Sequence, residues 1–447
     1  MAGPSPGPAS GGASGPVGPA DQATVRRLNL ALLLRSLVAG GPRSRARLAQ
    51  DTGLNKATVS SLVAELMARR LITEGAPDRG GTGRPGRVLQ LDTATVRLVG
   101  LKLNVDYLVG VVTDLTGRVL CRERVAAPLE TLGPAQGLRR VAELARSLLA
   151  GCGAFPDQVE AVIVSVPGLV QSDADILSYA PNLHWAQVDI GNTLRGRLGW
   201  RRARFLVDND ANLAAIAEYA VGDSAGTRHL LFVVGEIGVG AGILVDGQVV
   251  RGRSGFAGEV GHMPLGSPEA ECDCGRRGCW ETAVGLRALL PAIDPGGPGD
   301  PDSPAAAPLD PNVRSAGWAA DAGSRVEEIA GRAVAGDPRT LAVLAEVGRG
   351  LGIGVSMLAN VLDPEVIVLG GHFAALRQFL EPAVRAQMTA QIVAARTTRL
   401  EFSRFGFDAP VVGAAHAGIA LLLDDPIMVA PRDAAAEPGR TAAEAVR

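Results

Sequence analysis

The sequence is poor in several residue types, and each scarcity narrows the classes of protein to consider. Five cysteines among 447 residues are too few for the disulfide framework of a small secreted protein. The first residues lack the basic start and apolar core of a signal peptide, and we find no run of about 18 uncharged apolar residues that would predict a membrane span. The sequence therefore predicts a soluble, cytoplasmic protein with no membrane partner, in which reduced cysteines favour metal binding over disulfides.

Charge is nearly balanced over the whole chain but is unevenly distributed. The net charge is −2, and only two lysines, Lys56 and Lys102, accompany forty-two arginines. Between Gln22 and Asp92, twelve basic residues face five acidic ones, a local net charge of +7. A basic end attached to an acidic body predicts that the end meets a polyanion while the body has another task.

Composition and hydrophobic periodicity divide the chain into folded and disordered parts. Segments rich in Pro, Gly, Ala and Ser cannot bury enough apolar surface to order themselves, so we predict disorder for residues 1–22, an insert near 294–324 and the tail 431–447. The pattern is mainly helical up to Asp92, changes to strands from Val96, and is followed by a second, similar α/β series after Arg204. The predicted folded parts are a head, residues 23–92, and two α/β lobes, residues 93–211 and 212–430.

The head has the spacing of a helix-turn-helix, in the stretch RARLAQDTGLNKATVSSLVAELMARRLI. Gly53 allows the tight turn and Asn55 is placed to cap the second helix. An apolar stripe at helical spacing predicts the buried face of that helix, formed by Val59, Leu62, Val63 and Leu66.

Short or cationic side chains lie opposite this stripe, and arginines follow in the Gly-rich stretch DRGGTGRPGRVLQL, which is typical of a wing. Such residues suit the grooves and phosphates of a double-stranded DNA operator. The alternative is a helical hairpin that makes protein contacts, but the spacing, cap, wing and charge together favour DNA. The predicted DNA-binding residues are Asn55, Lys56, Thr58, Ser60, Ser61, Arg84 and Arg87.

Several motifs of the body, in order, resemble the signature of the ROK family, which contains sugar kinases and sugar-responsive repressors. They are VPGLV, PNLHW, DNDAN, the glycine-rich stretch GEIGVGAG, GEVGHM followed by CDCGRRGCWE, and VIVLGG. The resemblance covers roughly residues 24 to 425. It implies a two-lobed, actin-like (ribonuclease-H-like) α/β body preceded by an all-α-plus-wing winged helix-turn-helix, as in the repressor branch.

The cysteine-rich motif gathers one imidazole and three thiols into a short loop: His262, Cys272, Cys274 and Cys279. This set is a closed tetrahedral one, suited to a structural zinc rather than a catalytic metal. Free thiols are the alternative, but little apolar sequence surrounds them. Gly275 and Gly278 allow the loop to turn tightly enough for the sulfurs to converge.

The resemblance also implies a sugar site, because carboxylates and amides can each bridge two hydroxyls of a sugar. Carried over by position, it nominates Asn182, Asn209, Asp210, Glu259, His262 and Glu281. Asn209 and Asp210 alone would suit a helix N-terminus equally well. His262 can ligate zinc through one ring nitrogen and offer the other to a hydroxyl.

Kinase activity is disfavoured, although Asp210 matches the general base of the family's kinases. The phosphate-binding turn of those kinases is replaced here by Gly100 to Asp106, without its glycines and threonine, and Glu236 would repel phosphate. We therefore expect no enzyme but a regulator, most simply a repressor relieved by a sugar effector, acting as a homodimer or homotetramer. The alternatives are an ATP-dependent sugar kinase with a DNA-binding head, or a regulator controlled by a protein partner.

Overall fold

The structure, a computed structural model, describes residues 21–77, 87–293, 322–393 and 397–432. These residues form two compact units. The smaller unit contains the described residues up to Leu91 together with those from Leu422 onward, and the larger one contains residues 92–421. Most positions predicted to be disordered lie outside the described residues.

Two predicted disordered tracts extend too far, because helices begin inside them. The side chain of Asp21 accepts a hydrogen bond of 2.7 Å from the backbone N–H of Thr24, so the first helix begins at Gln22. Ala322 begins another helix, which buries Val326 on its apolar face. Capping and amphipathic periodicity outweigh the local composition at both places.

The smaller unit consists of three helices and a three-stranded antiparallel sheet, in the order β1-β3-β2. The first helix buries four leucines and one alanine, and the third helix buries its apolar stripe. Its elements are α1 (Gln22–Gly40), β1 (Arg43–Ser44), α2 (Arg45–Thr52), α3 (Lys56–Ala68), β2 (Ile72–Pro77) and β3 (Arg87–Leu91).

The chain from residue 422 to 432 belongs to this smaller unit, although we predicted residues up to 430 for the second lobe. The guanidinium of Arg69 donates hydrogen bonds of 2.9 and 2.6 Å to the carbonyls of Ile427 and Val429. Leu422 and Val429 are fully buried. The lobe boundary was therefore wrong at its C-terminal end, since these partners are more than 350 residues apart in sequence and no local pattern links them.

The first lobe of the larger unit is built on a five-stranded sheet, β11-β7-β4-β5-β6, with helices packed on it. The first three strands along the chain form the predicted antiparallel meander, and two parallel strands extend it. Its elements are β4 (Arg97–Leu103), β5 (Tyr107–Thr113), β6 (Val119–Ala126), α4 (Leu129–Gly151), β7 (Val159–Val166), β8 (Leu169–Gln171), β9 (Ile176–Ala180), β10 (Trp185–Asp189), α5 (Ile190–Leu198) and β11 (Arg204–Asn209).

The second lobe repeats this topology in the sheet β14-β13-β12-β15-β16, an antiparallel meander extended by two parallel strands. This repetition is the actin-like arrangement that the resemblance implied. Its elements are α6 (Asp210–Val221), β12 (Leu230–Gly235), β13 (Val239–Val245), β14 (Gln248–Val249), α7 (Glu281–Val284), α8 (Leu286–Ile293), α9 (Ala322–Val334), α10 (Pro338–Leu362), β15 (Val366–Gly371), α11 (His372–Ala375), α12 (Arg377–Gln391), β16 (Arg399–Phe402) and α13 (Ala409–Asp424).

Each lobe receives a helix that follows the last strand of the other. Helix α6 leaves the first lobe and packs on the second sheet, where Ala211 and Phe232 share a core. Helix α13 leaves the second lobe and packs on the first sheet, where Val411 and Ala415 lie against Val109. Assigning all of residues 212–430 to the second lobe was therefore wrong for α13, whose apolar face has its partner strands about 300 residues earlier.

Within the residues that the structure describes, two helices, Pro338–Leu362 and Gly406–Asp424, are long and apolar enough to cross a membrane by length and composition. Both supply residues to apolar cores of the larger unit, such as Leu351 and Val355 from the first and Val411 from the second. Their apolarity is explained by packing inside the larger unit.

Candidate functional site

The second helix of the helix-turn-helix, α3, is built as its sequence predicts. Gly53 adopts a left-handed conformation with a φ of 71°, and the side chain of Asn55 accepts a 2.8 Å hydrogen bond from the backbone N–H of Thr58. The four residues of the apolar stripe are buried. This anchoring fixes which face of α3 is turned to solvent.

The predicted DNA-contacting residues of α3 lie on or beside that exposed face. Lys56, Ser60 and Ser61 are exposed and Thr58 is half-buried. The hydroxyl of Ser60 donates a 2.9 Å hydrogen bond to the carbonyl of Lys56. The face therefore offers one cation and several small hydroxyls, without bulky groups that would obstruct a groove.

The wing strands β2 and β3 are antiparallel, and Arg87 begins the second of them. Its side chain is 67% exposed and forms a 3.1 Å ion pair with Glu74, which also pairs with Arg45. Exposed ion pairs of this kind contribute about 0–1 kcal/mol, so Arg87 can exchange Glu74 for a phosphate at little cost. Arg84 lies outside the described residues.

In the larger unit, the four predicted metal ligands converge. The ligand atoms of His262, Cys272, Cys274 and Cys279 all lie within 4.8 Å of one another. Two measured separations are 3.7 Å between the sulfurs of Cys274 and Cys279, and 3.8 Å between Nδ1 of His262 and the sulfur of Cys272. A tetrahedral zinc about 2.3 Å from each sulfur would place two sulfurs about 3.8 Å apart, so the residues fit this ion.

The loop that carries these ligands is anchored by Trp280, next to the last cysteine. The indole is fully buried and its N–H donates a 3.0 Å hydrogen bond to the carbonyl of Gly350 in α10. At the other end, the N–H of Gly266 donates to the carbonyl of Gly278 at 2.9 Å, and Gly278 has a φ of 75°. The ligand geometry is therefore tied to the core of the second lobe.

Two predicted sugar-binding carboxylates flank the ring of His262. Glu281 Oε1 lies 3.6 Å from Nδ1 and accepts a 2.8 Å hydrogen bond from the Cys272 thiol, while Glu259 Oε2 lies 3.8 Å from Nε2. Burial, and then the charge of Glu281, raises the pKa of Glu259 to about 7. Nδ1 thus faces Cys272 and Glu281, while Nε2 faces Glu259.

Asn209 and Asp210 stand at the junction of β11 and α6. Asn209 is the N-cap of α6: its Oδ1 accepts from the N–H of Ala211 at 2.8 Å, and its amide donates to the carbonyl of Gly168 at 2.9 Å. Asn209 therefore has a structural role at least. Asp210 is partly exposed, and burial, followed by the charge of Glu236, raises its pKa to about 7.

Asn182 lies in the 3-10 turn Pro181–Leu183 and is half-buried. Beside it, Nε2 of His184 lies 3.1 Å from Oε1 of Glu130 at the start of α4. Among the described residues, Glu259 and Glu281 each lie within 4 Å of His262, whereas no hydrogen bond or ion pair joins Asn182 to these three.

The sequence did not reveal that Lys102 and Glu236, both weighed only as obstacles to phosphate, are partners. The Lys102 ammonium is 1% exposed and donates a 2.7 Å hydrogen bond to Glu236 Oε1. The amide of Asn104 donates to Glu236 Oε2 at 2.9 Å. Burial alone would lower the pKa of Lys102, but the Glu236 carboxylate outweighs it and the pKa is raised. The two lobes are thus joined by a buried ion pair.

A winged helix-turn-helix and two α/β lobes of repeated topology define a class of protein in which an actin-like body is joined to a small helical head. The chain belongs to the ROK family, whose match covers residues 98–419.

Curated relatives include the xylose repressor of Bacillus subtilis (strain 168), 26% identical over 407 residues that cover 91% of this chain and 98% of the relative. The DNA-binding transcriptional dual regulator NagC of Escherichia coli (strain K12) is also 26% identical, over an alignment that covers 86% of this chain and 90% of NagC.

Among solved structures, a ROK family transcriptional regulator, homologue of the E. coli MLC protein, covers 91% of this chain and 98% of its own with a TM-score of 0.73 at 24% identity. A ROK family glucokinase from Streptomyces griseus, in complex with glucose and AMPPNP, covers 71% of this chain and 98% of its own with a TM-score of 0.56 at 25% identity. The expected family and fold are therefore confirmed.

Proposed function

We propose that the protein is a DNA-binding transcriptional repressor that is relieved by a sugar or a sugar derivative. The observation that carries this proposal is the extent of the likeness to the xylose repressor, which spans 91% of this chain and so reaches from the head into the body. A head for DNA and a body for a ligand are both required for such a repressor, and the chain has both. Its place of action is the cytoplasm.

The head would place the exposed face of α3 in a major groove. Lys56 and Ser61 are turned to solvent there, and Arg87 stands on the adjacent wing strand. Side chains of this kind contact phosphates and base edges, with the phosphate contacts supplying affinity. Arg84, which lies outside the described residues, is proposed from the sequence alone as a further phosphate contact.

The body would bind the sugar next to Asp210, Glu259 and the free ring nitrogen of His262. Carboxylates can each accept hydrogen bonds from two adjacent hydroxyls, which suits a ligand rich in hydroxyls and poor in charge. Glu281 supports the same site from the other side of the imidazole. Asn182 and Asn209 complete the proposed set.

A structural zinc would fix this side of the site. His262, Cys272, Cys274 and Cys279 would hold the ion, which would supply a rigid cross-link rather than a reactive centre. We expect Cys274→Ser to lose bound zinc and lower the urea midpoint of the larger unit. Cys121→Ser, a half-buried cysteine outside the cluster, is the matched control. Full zinc content in Cys274→Ser would contradict the zinc proposal.

We also propose that the protein does not transfer phosphate. Asp210 is retained, and the likeness to the glucokinase favours kinase activity as the second candidate. However, the first hairpin lacks the glycines and the threonine that would bring bare backbone to a phosphate, and its Lys102 is held by Glu236 instead of being free for a nucleotide. The measurement is ATP turnover with a panel of sugars: turnover above that of Asp210→Asn would favour the kinase.

The repressor would act as a homodimer or homotetramer, because paired heads must match half-sites about 34–36 Å apart on DNA. For the sugar to release DNA, it must bind the two states of the protein with different affinities. A regulator controlled by a protein partner is the remaining alternative.

The experiment is to capture fragmented genomic DNA on the purified protein and elute it with separate sugars at constant salt. We expect discrete fragments that one sugar releases. Glu259→Gln should still capture the fragments but fail to release them, while Glu271→Gln, an exposed carboxylate of the zinc loop, should behave like the wild type. Discrete fragments that no sugar releases would favour a protein partner, and no enrichment would refute the proposed function.

A further inference from the structure

Both carboxylate oxygens of Glu236 accept hydrogen bonds from residues of the first lobe. Lys102, on β4, donates to Glu236 Oε1 and also to the carbonyl of Phe407 at 2.9 Å. Asn104 donates to Glu236 Oε2 and, at 3.2 Å, to the hydroxyl of Tyr107. Removing either charge from such a pair leaves the other buried and uncompensated, which is strongly unfavourable. The lobes therefore meet at a polar contact that tolerates little displacement.

This contact lies within electrostatic reach of Asp210. The charges that act on the Asp210 carboxyl are those of Glu236, Lys102 and Glu259, besides the N–H of Ala211. The hairpin that carries Glu236 also packs closely on the first turn of α6, since a Cβ placed on Gly242 would lie 2.3 Å from the carbonyl of Ala211. A shift of Glu236 would thus change both the position of Asp210, through packing, and its protonation, through charge.

We propose that Lys102, Asn104 and Glu236 form an interlobe latch that positions Asp210 and controls its charge for the ligand. This proposal rests on the proposed function, because it assumes that Asp210 contacts the sugar. The latch residues act through Asp210 and do not themselves touch the ligand. The charges of Lys102 and Glu236 nearly cancel in the intact pair. Taken alone, the ammonium of Lys102 favours the ionised form of Asp210, and the carboxylate of Glu236 favours its protonated form.

The test measures sugar affinity of the full chain by calorimetry between about pH 5 and pH 9, a range that brackets the titration of a carboxyl with a raised pKa. The probes are D-xylose, D-glucose and N-acetylglucosamine. An ionised carboxylate accepts the stronger hydrogen bonds, so affinity should rise as Asp210 loses its proton. Glu259 of the proposed site is present in the wild type and in every latch variant, so only the difference between variants is assigned to Asp210.

We expect the two single variants to move the midpoint of this rise in opposite directions. Glu236→Gln removes a negative charge from beside Asp210 and shifts the midpoint to lower pH. Lys102→Met removes the positive charge and shifts it to higher pH, and the double variant returns close to the wild type. Asp408→Asn breaks the exposed ion pair with Arg122, next to Phe407, and should leave the midpoint unchanged.

Shifts in the same direction, or no shift in a Glu236→Gln protein that still binds sugar, would overturn the latch. Either single variant can fail to fold, since each leaves its partner buried and uncompensated; the single variant that folds and the double variant then suffice for that decision. Failure of the wild type to bind any probe would count against the proposed function instead. In that case a double-mutant cycle on urea unfolding decides: we expect a coupling of about tenfold or more in the unfolding equilibrium constant, and additive effects would overturn the latch.

Discussion

Replacing Gly354 by alanine tests whether the metal loop depends on the core of the second lobe. Gly354 lies in α10, and a Cβ on it would lie 2.1 Å from Cζ2 and 2.3 Å from Cε2 of Trp280. Because α10 is a long helix with many core contacts, the ring rather than the helix must move. The indole N–H would then lose the carbonyl of Gly350, and Cys279, its neighbour in sequence, would be displaced.

The expected loss of stability combines three effects. Alanine in place of glycine within a helix stabilises by about 1 kcal/mol. Forcing a methyl group into a filled core costs about 1–3 kcal/mol, and losing one buried hydrogen bond costs about 1 kcal/mol. Gly354→Ala should therefore destabilise the larger unit by about 1–3 kcal/mol in total, measured by urea unfolding, and should weaken zinc binding.

Gly331→Ala is the matched control, since it is also a helical glycine but no atom lies within 4 Å of a Cβ placed on it. We expect this variant to be as stable as the wild type or more stable by up to about 1 kcal/mol, with unchanged zinc content. If Gly354→Ala unfolds at the same urea concentration as Gly331→Ala and keeps its zinc, the coupling of the loop to α10 is refuted.

Three further predictions concern single side chains. Asn55→Ala removes the cap of α3 and should destabilise the smaller unit by about 1 kcal/mol in thermal unfolding; no loss would mean that Thr58 finds another acceptor. Arg87→Ala should weaken operator binding equally for all sequences and lower the slope of log affinity against log salt by roughly one, whereas an unchanged slope would remove Arg87 from the phosphate contacts. Asp210 has a pKa raised to about 7 in the folded chain, above its unfolded value, so its contribution to stability is largest in acid and is lost as the pH rises towards 7. Asp210→Asn should accordingly gain stability over the wild type at pH 8 relative to pH 5 in urea unfolding, and equal differences at both pH values would contradict the raised pKa.

Local patterns predicted the fold well wherever the structure depends on neighbours in sequence. Gly53, Asn55 and the apolar stripe of α3 follow from helix geometry and capping, which need only a few residues. The antiparallel meander of β4, β5 and β6 follows from alternation and turn residues. The convergence of the four metal ligands follows from the close spacing of three cysteines in a glycine-containing loop.

Contacts between distant parts of the chain could not be predicted in this way. Lys102 and Glu236 are 134 residues apart, and each alone indicates only that a phosphate would fit badly. The packing of α13 on the first sheet and of residues 422–432 on the head depends on surfaces that exist only after folding. The likeness to a known family implied the two lobes but not these pairings.

The attachment of residues 422–432 to the head has a consequence for transferring this head to another protein. The buried side chains of Leu422 and Val429 and the two carbonyls that receive Arg69 come from the far end of the coding sequence. A head cut after Leu91 and grafted onto another body would carry an uncovered apolar surface and a guanidinium without its acceptors. Transfer of this head to another body must therefore include residues 422–432 as well as the residues up to Leu91.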